Sequence, residues 1–246
     1  MSTQPIYQAV LTETRRRKLK SGASHLDIGS GSGTLIQLLQ QECGVKSRSC
    51  DYTRELMKLP GIEVDIANLN NDPLPYADNT FDLITCTEVV EHLERFRFIV
   101  REIVRVAKPG GLVIFSTPNI LNLRSRIRFF CFGFWNLFGP LPLHHNRLDT
   151  TGGHINPVSW FYLAHAMMDA GLVDVSWSID RCQRSSYLPF SLLYPLILLG
   201  GAWAMYSEET RYNTLDAANE PLVKAINHPK MLLGRTILAS GVKKSV

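Results

Sequence analysis

The stretch Ser24-His-Leu-Asp-Ile28, followed directly by Gly29-Ser-Gly-Ser-Gly33, decides the fold of this chain. The first five residues form a short, mostly apolar run, and the glycines lead into apolar residues at helical spacing over positions 35–39. This pattern predicts a strand, a glycine loop and a helix. Because glycine lacks a Cβ, such a loop lets backbone N–H groups and a helix N-terminus approach a ligand closely.

Strand and helix patterns alternate beyond this unit. Further short strands are predicted at residues 47–50, 62–64, 81–86 and 112–116, and the region 96–107 has the apolar spacing of a helix. A helix from about Asn156 to Ala170, a strand over Leu172–Ile179 and a last strand at 235–240 follow. Alternating strands and helices favour a parallel sheet with helices on both faces.

Composition excludes several classes of protein. The chain has 246 residues, 45% hydrophobic and 20% charged, which suits one packed domain of ordinary size or one domain carrying an insertion. A net charge of +4 is no basis for nucleic-acid binding. The five cysteines are widely spaced and form no CxxC pair, so neither a disulfide framework nor a structural zinc site is expected, and no metal ligands are assigned. No apolar signal segment precedes the basic run at 15–20, which indicates a cytoplasmic protein.

Three aspartates stand where predicted strands end. Asp27 precedes the glycine loop, whose G-x-G-x-G spacing differs from the G-x-G-x-x-G of dinucleotide folds and disfavours an NAD-dependent dehydrogenase. Asp51 is placed to accept both hydroxyls of a ribose, or alternatively is a solvated turn residue. Asp65 follows the third predicted strand and could accept from an adenine amino group.

The ordered motifs resemble the class I S-adenosylmethionine-dependent methyltransferases, in particular the type 11/12 group. They run over about residues 22–180 as LDIGSGSG, Asp51, Asp65, LPYADNTFDLI, EVVEHL, REIVRVAKPGG and STPN. A shorter stretch, STPNILNLRSRIRFF…LDTTGGHINP, is similar to MetW-type proteins of methionine biosynthesis. The resemblance implies an α/β fold with a seven-stranded Rossmann-like sheet, whose last strand inserts antiparallel between the fifth and sixth. Residues 1–180 and 231–246 would form the core, 120–153 a cap and 181–230 an apolar insertion.

The same resemblance implies S-adenosyl-L-methionine as cofactor and assigns its binding residues. Those residues are Asp27, Gly29, Gly31, Gly33, Asp51, Tyr52, Asp65, Ile66, Cys86 and Thr87. Asp27 and the glycines would hold the methionine end, and Asp51 the ribose, with Tyr52 on the adenine. Asp65 and the backbone of Ile66 would read the adenine edge, and the last two residues would close the pocket. Asp82 is expected to anchor a strand end.

A hydroxyl acceptor would need a base, and histidine is the usual choice. The candidates are His154 and His92, each with a packing role as the alternative, and the pair at 144–145. Glu88 and Glu91 are expected to form a solvated helix start.

Two segments raise the question of a membrane. Residues 187–206 contain no charged residue over a length that could span a bilayer, but prolines and glycines interrupt them. They fit an interfacial hairpin, a lid over an apolar substrate, a buried core helix or a dimer face. Residues 124–138 combine arginines with aromatic residues, which suits a headgroup boundary or the roof of an apolar pocket. We expect both segments to pack as one cap with peripheral contact to the inner face of the membrane.

These observations favour a methyltransferase acting on a small or lipid-linked acceptor, with O-methylation ahead of C- or N-methylation. The alternative is a non-catalytic S-adenosylmethionine-binding partner of a biosynthetic enzyme, as the MetW similarity allows. Both hypotheses require an intact glycine loop and the three carboxylates, so these features do not separate them.

Overall fold

The computed structural model describes residues 2–141 and 153–245, and a seven-stranded sheet lies at its centre. The strands are β1 (Ser24–Ile28), β2 (Lys46–Asp51), β3 (Val64–Ile66), β4 (Phe81–Thr87), β5 (Ala107–Pro118), β6 (Leu172–Ile179) and β7 (Thr236–Lys243). The helices are α1 (Gln4–Arg16), α2 (Thr34–Cys43), α3 (Phe96–Val106), α4 (Leu123–Phe132), α5 (Trp160–Asp169), α6 (Tyr187–Ser207), α7 (Glu220–Ala225) and α8 (Pro229–Leu233).

The sheet has the order β3-β2-β1-β4-β5-β7-β6, and its first five strands are parallel. β7 pairs antiparallel with both β5 and β6, as expected for an inserted last strand. β6 therefore runs in the same direction as β5. As a result β1, β2, β4, β5 and β6 all end at one side of the sheet, here called the carboxyl edge. Ligands bind at this edge in open α/β sheets.

Apolar side chains cover both faces of the sheet. On one face α1 and α2 bury Ile6, Val10 and Leu39 against β5 and β7. On the other face the predicted apolar stripe of α3 is buried together with Trp160 of α5. Burial of these surfaces is the main stabilising contribution to such a fold.

Several boundaries differ from those predicted. β3 covers Val64–Ile66, so Asp65 lies within the strand and not after it. α5 begins at Trp160, because the side chain and backbone of Asn156 bind carbonyl groups of the turn after β4. α1 was not predicted as an element, since a basic, exposed face masks its buried apolar positions.

The insertion at 181–230 is largely helical. Its main element, α6, is one helix of 21 residues with no buried residue, so a buried core helix is excluded. The later part of the insertion returns to the core, where Leu222 and Ala225 are buried. Of the proposed cap, α4 is described, whereas residues 142–152 and the candidate histidines within them lie outside the described residues.

Candidate active site

The glycine loop lies at the carboxyl edge between β1 and α2. Gly29, Gly31 and Gly33 all have positive φ, at 67°, 51° and 79°. A Cβ on Gly29 would lie 2.3 Å from Cγ2 of Val89, whereas a Cβ on Gly31 would meet nothing within 4 Å. The loop is therefore packed against the protein at Gly29 and open at Gly31, which forms a cradle that a ligand can approach closely.

Asp51 joins this loop to the end of β2. One carboxylate oxygen accepts from the backbone N–H of Gly31 at 3.0 Å and the other from the N–H of Tyr52 at 2.7 Å. Burial raises the pKa of Asp51, and the backbone donors oppose that rise. The structure thus brings Asp51 and the glycine loop together, as their predicted roles require.

Asp27 lies beside the loop as a buried carboxyl group. Its Oδ1 accepts from the hydroxyl of Thr85 at 2.6 Å, and 2% of the residue is exposed. Burial raises its pKa to about 7, and the nearby Asp51 acts in the same direction. A buried carboxylate of this kind is stabilised by a cation, and the ammonium group of a bound amino acid would supply one.

The ends of β2 and β3 carry exposed apolar side chains. Tyr52 is 48% exposed and Ile66 is 49% exposed, as an adenine-binding surface would require. Asp65 has partners within the protein, because its Oδ2 accepts from Tyr76 at 2.7 Å and from Arg48 at 2.8 Å. These polar contacts account for the Asp65 carboxylate without a ligand. Recognition of the adenine edge by Asp65 stays a prediction.

Cys86 and Thr87 lie at the end of β4, in register with the end of β1. Both are buried, and Ser2 donates a hydrogen bond to the Thr87 hydroxyl at 3.2 Å. Burial raises the pKa of the Cys86 thiol well above its usual value, so this residue lines the site as an uncharged thiol.

The prediction for Glu88 and Glu91 was wrong, because neither belongs to a solvated helix start. Glu88 accepts from the Ser116 hydroxyl at 3.0 Å, and burial raises its pKa to about 7. Glu91 is 0% exposed within a short 3-10 turn, and burial and Glu88 raise its pKa. Its apolar neighbours in the motif EVVEHL were the available sequence signal for this burial.

The two predicted histidines meet beside these glutamates. The ring centroids of His92 and His154 are 4.9 Å apart, although the residues are far apart in the chain. Burial, together with His92, lowers the pKa of His154 to about 4, so its ring is neutral at neutral pH. The carboxyl edge thus combines a glycine cradle, buried carboxyl groups and an imidazole pair.

This fold and site define the class I S-adenosylmethionine-dependent methyltransferases. The chain matches the family described as a methyltransferase domain over residues 5–176, and it belongs to that family. A similar solved structure is a SAM-dependent methyltransferase from Archaeoglobus fulgidus, with TM-score 0.60, 19% identity and coverage of 96% of this chain and 94% of that one. At this identity the likeness shows the fold.

Curated relatives are similar over part of their length. A demethylmenaquinone methyltransferase of Corynebacterium urealyticum is 37% identical over 160 residues, which are 63% of this chain and 64% of the relative. A ubiquinone biosynthesis O-methyltransferase of Methylococcus capsulatus is 30% identical over 107 residues, which are 40% and 45% of the two chains. This chain therefore spans between about half and two thirds of these relatives.

The residues at the carboxyl edge fit S-adenosylmethionine. The open cradle at Gly31 would receive its methionine end beside Asp27, and Asp51 and Tyr52 stand at the next strand end. When bound, S-adenosylmethionine supplies a methyl group made electrophilic by its sulfonium. The protein contributes binding, orientation and exclusion of water.

Proposed function

We propose that this protein transfers a methyl group to a hydroxyl of a lipid-linked acceptor at a membrane surface. The observation that carries the proposal is the apolar outer surface of α4 and α6, which both begin at the carboxyl edge. α4 starts five residues after Pro118 at the end of β5, and α6 starts eight residues after Ile179 at the end of β6. An acceptor held at this surface would lie at the same edge of the sheet as the glycine loop.

The outer face of α6 has the character of a membrane contact. Its exposed side chains include Leu192, Leu196, Leu199 and Trp203, each at least 64% exposed. Within the helical segment Arg184–Tyr212, a window of 18 residues has a mean hydropathy of 1.6, so the helix is long and apolar enough to cross a membrane by length and composition. Monomeric soluble proteins rarely expose continuous apolar surface of this extent.

The contacts of α6 favour an in-plane position over a crossing. Ser186, just before the helix, is buried, and a Cβ on Gly201 would lie 2.5 Å from the side-chain nitrogen of Asn227. These points are roughly 22 Å apart along a helix of 1.5 Å rise per residue. The helix therefore lies along the domain, with its opposite side outward. This is the arrangement of an interfacial helix.

The cap segments adjoin at a cleft of about 330 Å³. α4 contributes Arg124, Ile127 and Arg128, whereas Ser185 comes from the turn before α6 and Pro189 from its first turn. Arginines beside exposed phenylalanines such as Phe130 suit the boundary between anionic headgroups and acyl chains. An anionic headgroup is the ligand that this cleft fits by charge.

The names of the relatives support an acceptor of this class. They refer to demethylmenaquinone and to ubiquinone biosynthesis, and the second specifies O-methylation. O-methylation requires loss of a hydroxyl proton, for which the cluster of buried carboxyl groups and imidazoles at the same edge is suited.

The first test is incubation of the protein with methyl-labelled S-adenosylmethionine and a total lipid extract. Label in a product that partitions into organic solvent and resists acid and base hydrolysis, as an ether does, is the expected result. Label only in water-soluble products would overturn the lipid-linked acceptor. Binding of the cofactor without any labelled product would instead favour a non-catalytic binding protein.

The second test is sedimentation with vesicles of phosphatidylglycerol and phosphatidylcholine. Replacing Leu192, Leu196 and Leu199 together by Ser should lower the membrane partition coefficient, measured over a range of lipid concentrations, at least a hundredfold, since each buried Leu contributes roughly 1.5–3 kcal/mol. Met168→Ser, at an exposed position of α5, is the matched control and should bind like the wild type. Equal sedimentation of all three proteins would refute the membrane contact.

A further inference from the structure

A compact group of metal-ligating side chains lies at the carboxyl edge. Among the described residues, Glu91, His92 and His154 each offer one ligand atom, and these atoms all lie within 4.8 Å of one another. We infer that this cluster binds one divalent transition-metal ion, which takes the hydroxyl oxygen of the acceptor as a further ligand. The acceptor part of this inference rests on the proposed function, whereas the ion site stands on the geometry alone.

Glu91 is the strongest indication of a bound cation. The residue is 0% exposed, and neither carboxylate oxygen has a hydrogen-bond partner within the described protein. The nearby Thr117 hydroxyl is also buried without an assigned partner, and a hydrogen bond from it would occupy only one of the two carboxylate oxygens. A buried carboxylate is costly unless it is paired or coordinates a metal. An ion among Glu91 and the two imidazoles would satisfy this group.

The histidines are oriented as metal ligands usually are. Nδ1 of His92 lies 3.0 Å from the carbonyl oxygen of Gly153, which can only accept, so Nδ1 carries the proton and Nε2 the lone pair. A backbone carbonyl that fixes the tautomer is a typical outer partner of a ligating histidine. The Nδ1 atom of His154 is buried without a hydrogen-bond partner, and Phe138 packs against its ring.

Backbone hydrogen bonds hold the two halves of the cluster together. The carbonyl of Glu91 accepts from the N–H groups of Ile155 and Asn156, both at 2.9 Å. The side chain of Asn156 donates to the carbonyl of Leu93 at 3.0 Å. His154 is therefore fixed against the turn that carries Glu91 and His92, and little rearrangement is needed for binding.

The donor set identifies the class of ion. Two imidazoles and one carboxylate suit zinc, iron or manganese and leave coordination positions open. Ligand atoms about 2.1 Å from a tetrahedral ion are roughly 3.4 Å apart, so small side-chain rotations complete the site. A hydroxyl bound to such an ion loses its proton to solvent more readily, as metal-bound water does.

The test is metal binding by the full chain, without affinity tag, after removal of metals with a chelator. Zn²⁺ is titrated in competition with a chromophoric chelator, and Co²⁺ by its visible absorption. We expect one equivalent per chain, and an affinity at least a hundredfold weaker in Glu91→Gln and in His154→Ala. The exposed His165 provides the matched control, and His165→Ala should bind like the wild type.

Two further measurements separate the site from folding and from the proposed function. Zn²⁺ should raise the Tm of the wild type and of His165→Ala, but not of the two cluster variants. If Glu91→Gln does not fold, His154→Asn and His92→Gln replace it, and both should show the same loss of metal affinity and of the Tm increase with Zn²⁺. Absence of a saturable equivalent, or equal affinity in the cluster variants, would overturn the site.

Activity tests the role of the ion separately. Metal-free protein should transfer methyl groups at least tenfold more slowly, and added Zn²⁺ or Mn²⁺ should restore the rate. Full activity of metal-free protein would overturn the role at the acceptor oxygen. Metal binding is measured without lipid or acceptor. A protein that does not bind metal would therefore overturn the ion site but not the lipid-linked acceptor. A protein that binds metal but does not label lipid would overturn the lipid-linked acceptor but not the ion site.

Discussion

The pKa of Asp27 predicts how cofactor affinity depends on pH. Its carboxyl group is buried beside the glycine loop, and burial raises its pKa to about 7. Because the ammonium group of the cofactor would pair with the ionised form, protonation of Asp27 should compete with binding. The perturbation is a change of pH from 6 to 8, in the wild type and in Asp27→Asn.

The magnitude follows from the ionised fraction. With a pKa of about 7, roughly one tenth of Asp27 is ionised at pH 6 and roughly nine tenths at pH 8. The Kd should therefore fall about tenfold over this range, which corresponds to about 1.4 kcal/mol. The free energy of unfolding without ligand should also fall as pH rises between about 4 and 7, because the folded chain then holds a proton that the unfolded chain releases. At about 1.4 kcal/mol for each pKa unit, the total fall is at most about 4 kcal/mol.

Calorimetric titration with S-adenosylhomocysteine at pH 6, 7 and 8 measures the effect. Asp27→Asn keeps the size of the side chain, and its affinity should be weaker at pH 8 and nearly independent of pH. Asp82→Asn is the control, since Asp82 binds Ser24 and Lys108 at the opposite edge of the sheet. A tenfold pH dependence that persists in Asp27→Asn would refute this account and transfer the effect to another group, such as Asp51.

Two further predictions concern stability, measured by urea denaturation. Gly29→Ala should lower the free energy of unfolding by about 2–5 kcal/mol and abolish cofactor binding, because it combines positive φ with a clash at Val89. Gly61→Ala, at positive φ in open space, should lower the free energy of unfolding by only about 1–2 kcal/mol. An equal cost at both glycines would contradict the clash. Trp160→Ala should cost about 3–5 kcal/mol because Trp160 is 1% exposed, and Trp203→Ala, 73% exposed, should change stability by less than about 0.5. Similar losses at the two tryptophans would show that α6 is packed in solution.

Local patterns in the sequence predicted the parts of the fold that depend on neighbouring residues. The strand Ser24–Ile28 and the loop Gly29–Gly33 could be predicted from the sequence, because a short apolar strand and glycines at positive φ depend on the residues of the segment itself. The resemblance to a known family added the antiparallel place of β7, which the structure confirms. Asp27 and Asp51 could be placed at one site because parallel strands end at the same edge.

Only the tertiary structure decided which polar groups are buried together. Glu91 and His154 are distant in sequence, and their proximity depends on backbone hydrogen bonds to Ile155 and Asn156 that no periodicity reveals. The same limit applies to α6, whose uniformly apolar sequence is compatible with a core helix, a lid or a membrane contact. Which side of such a helix faces the protein depends on what packs against it, and here Asn227 lies against one side and the opposite side stays exposed.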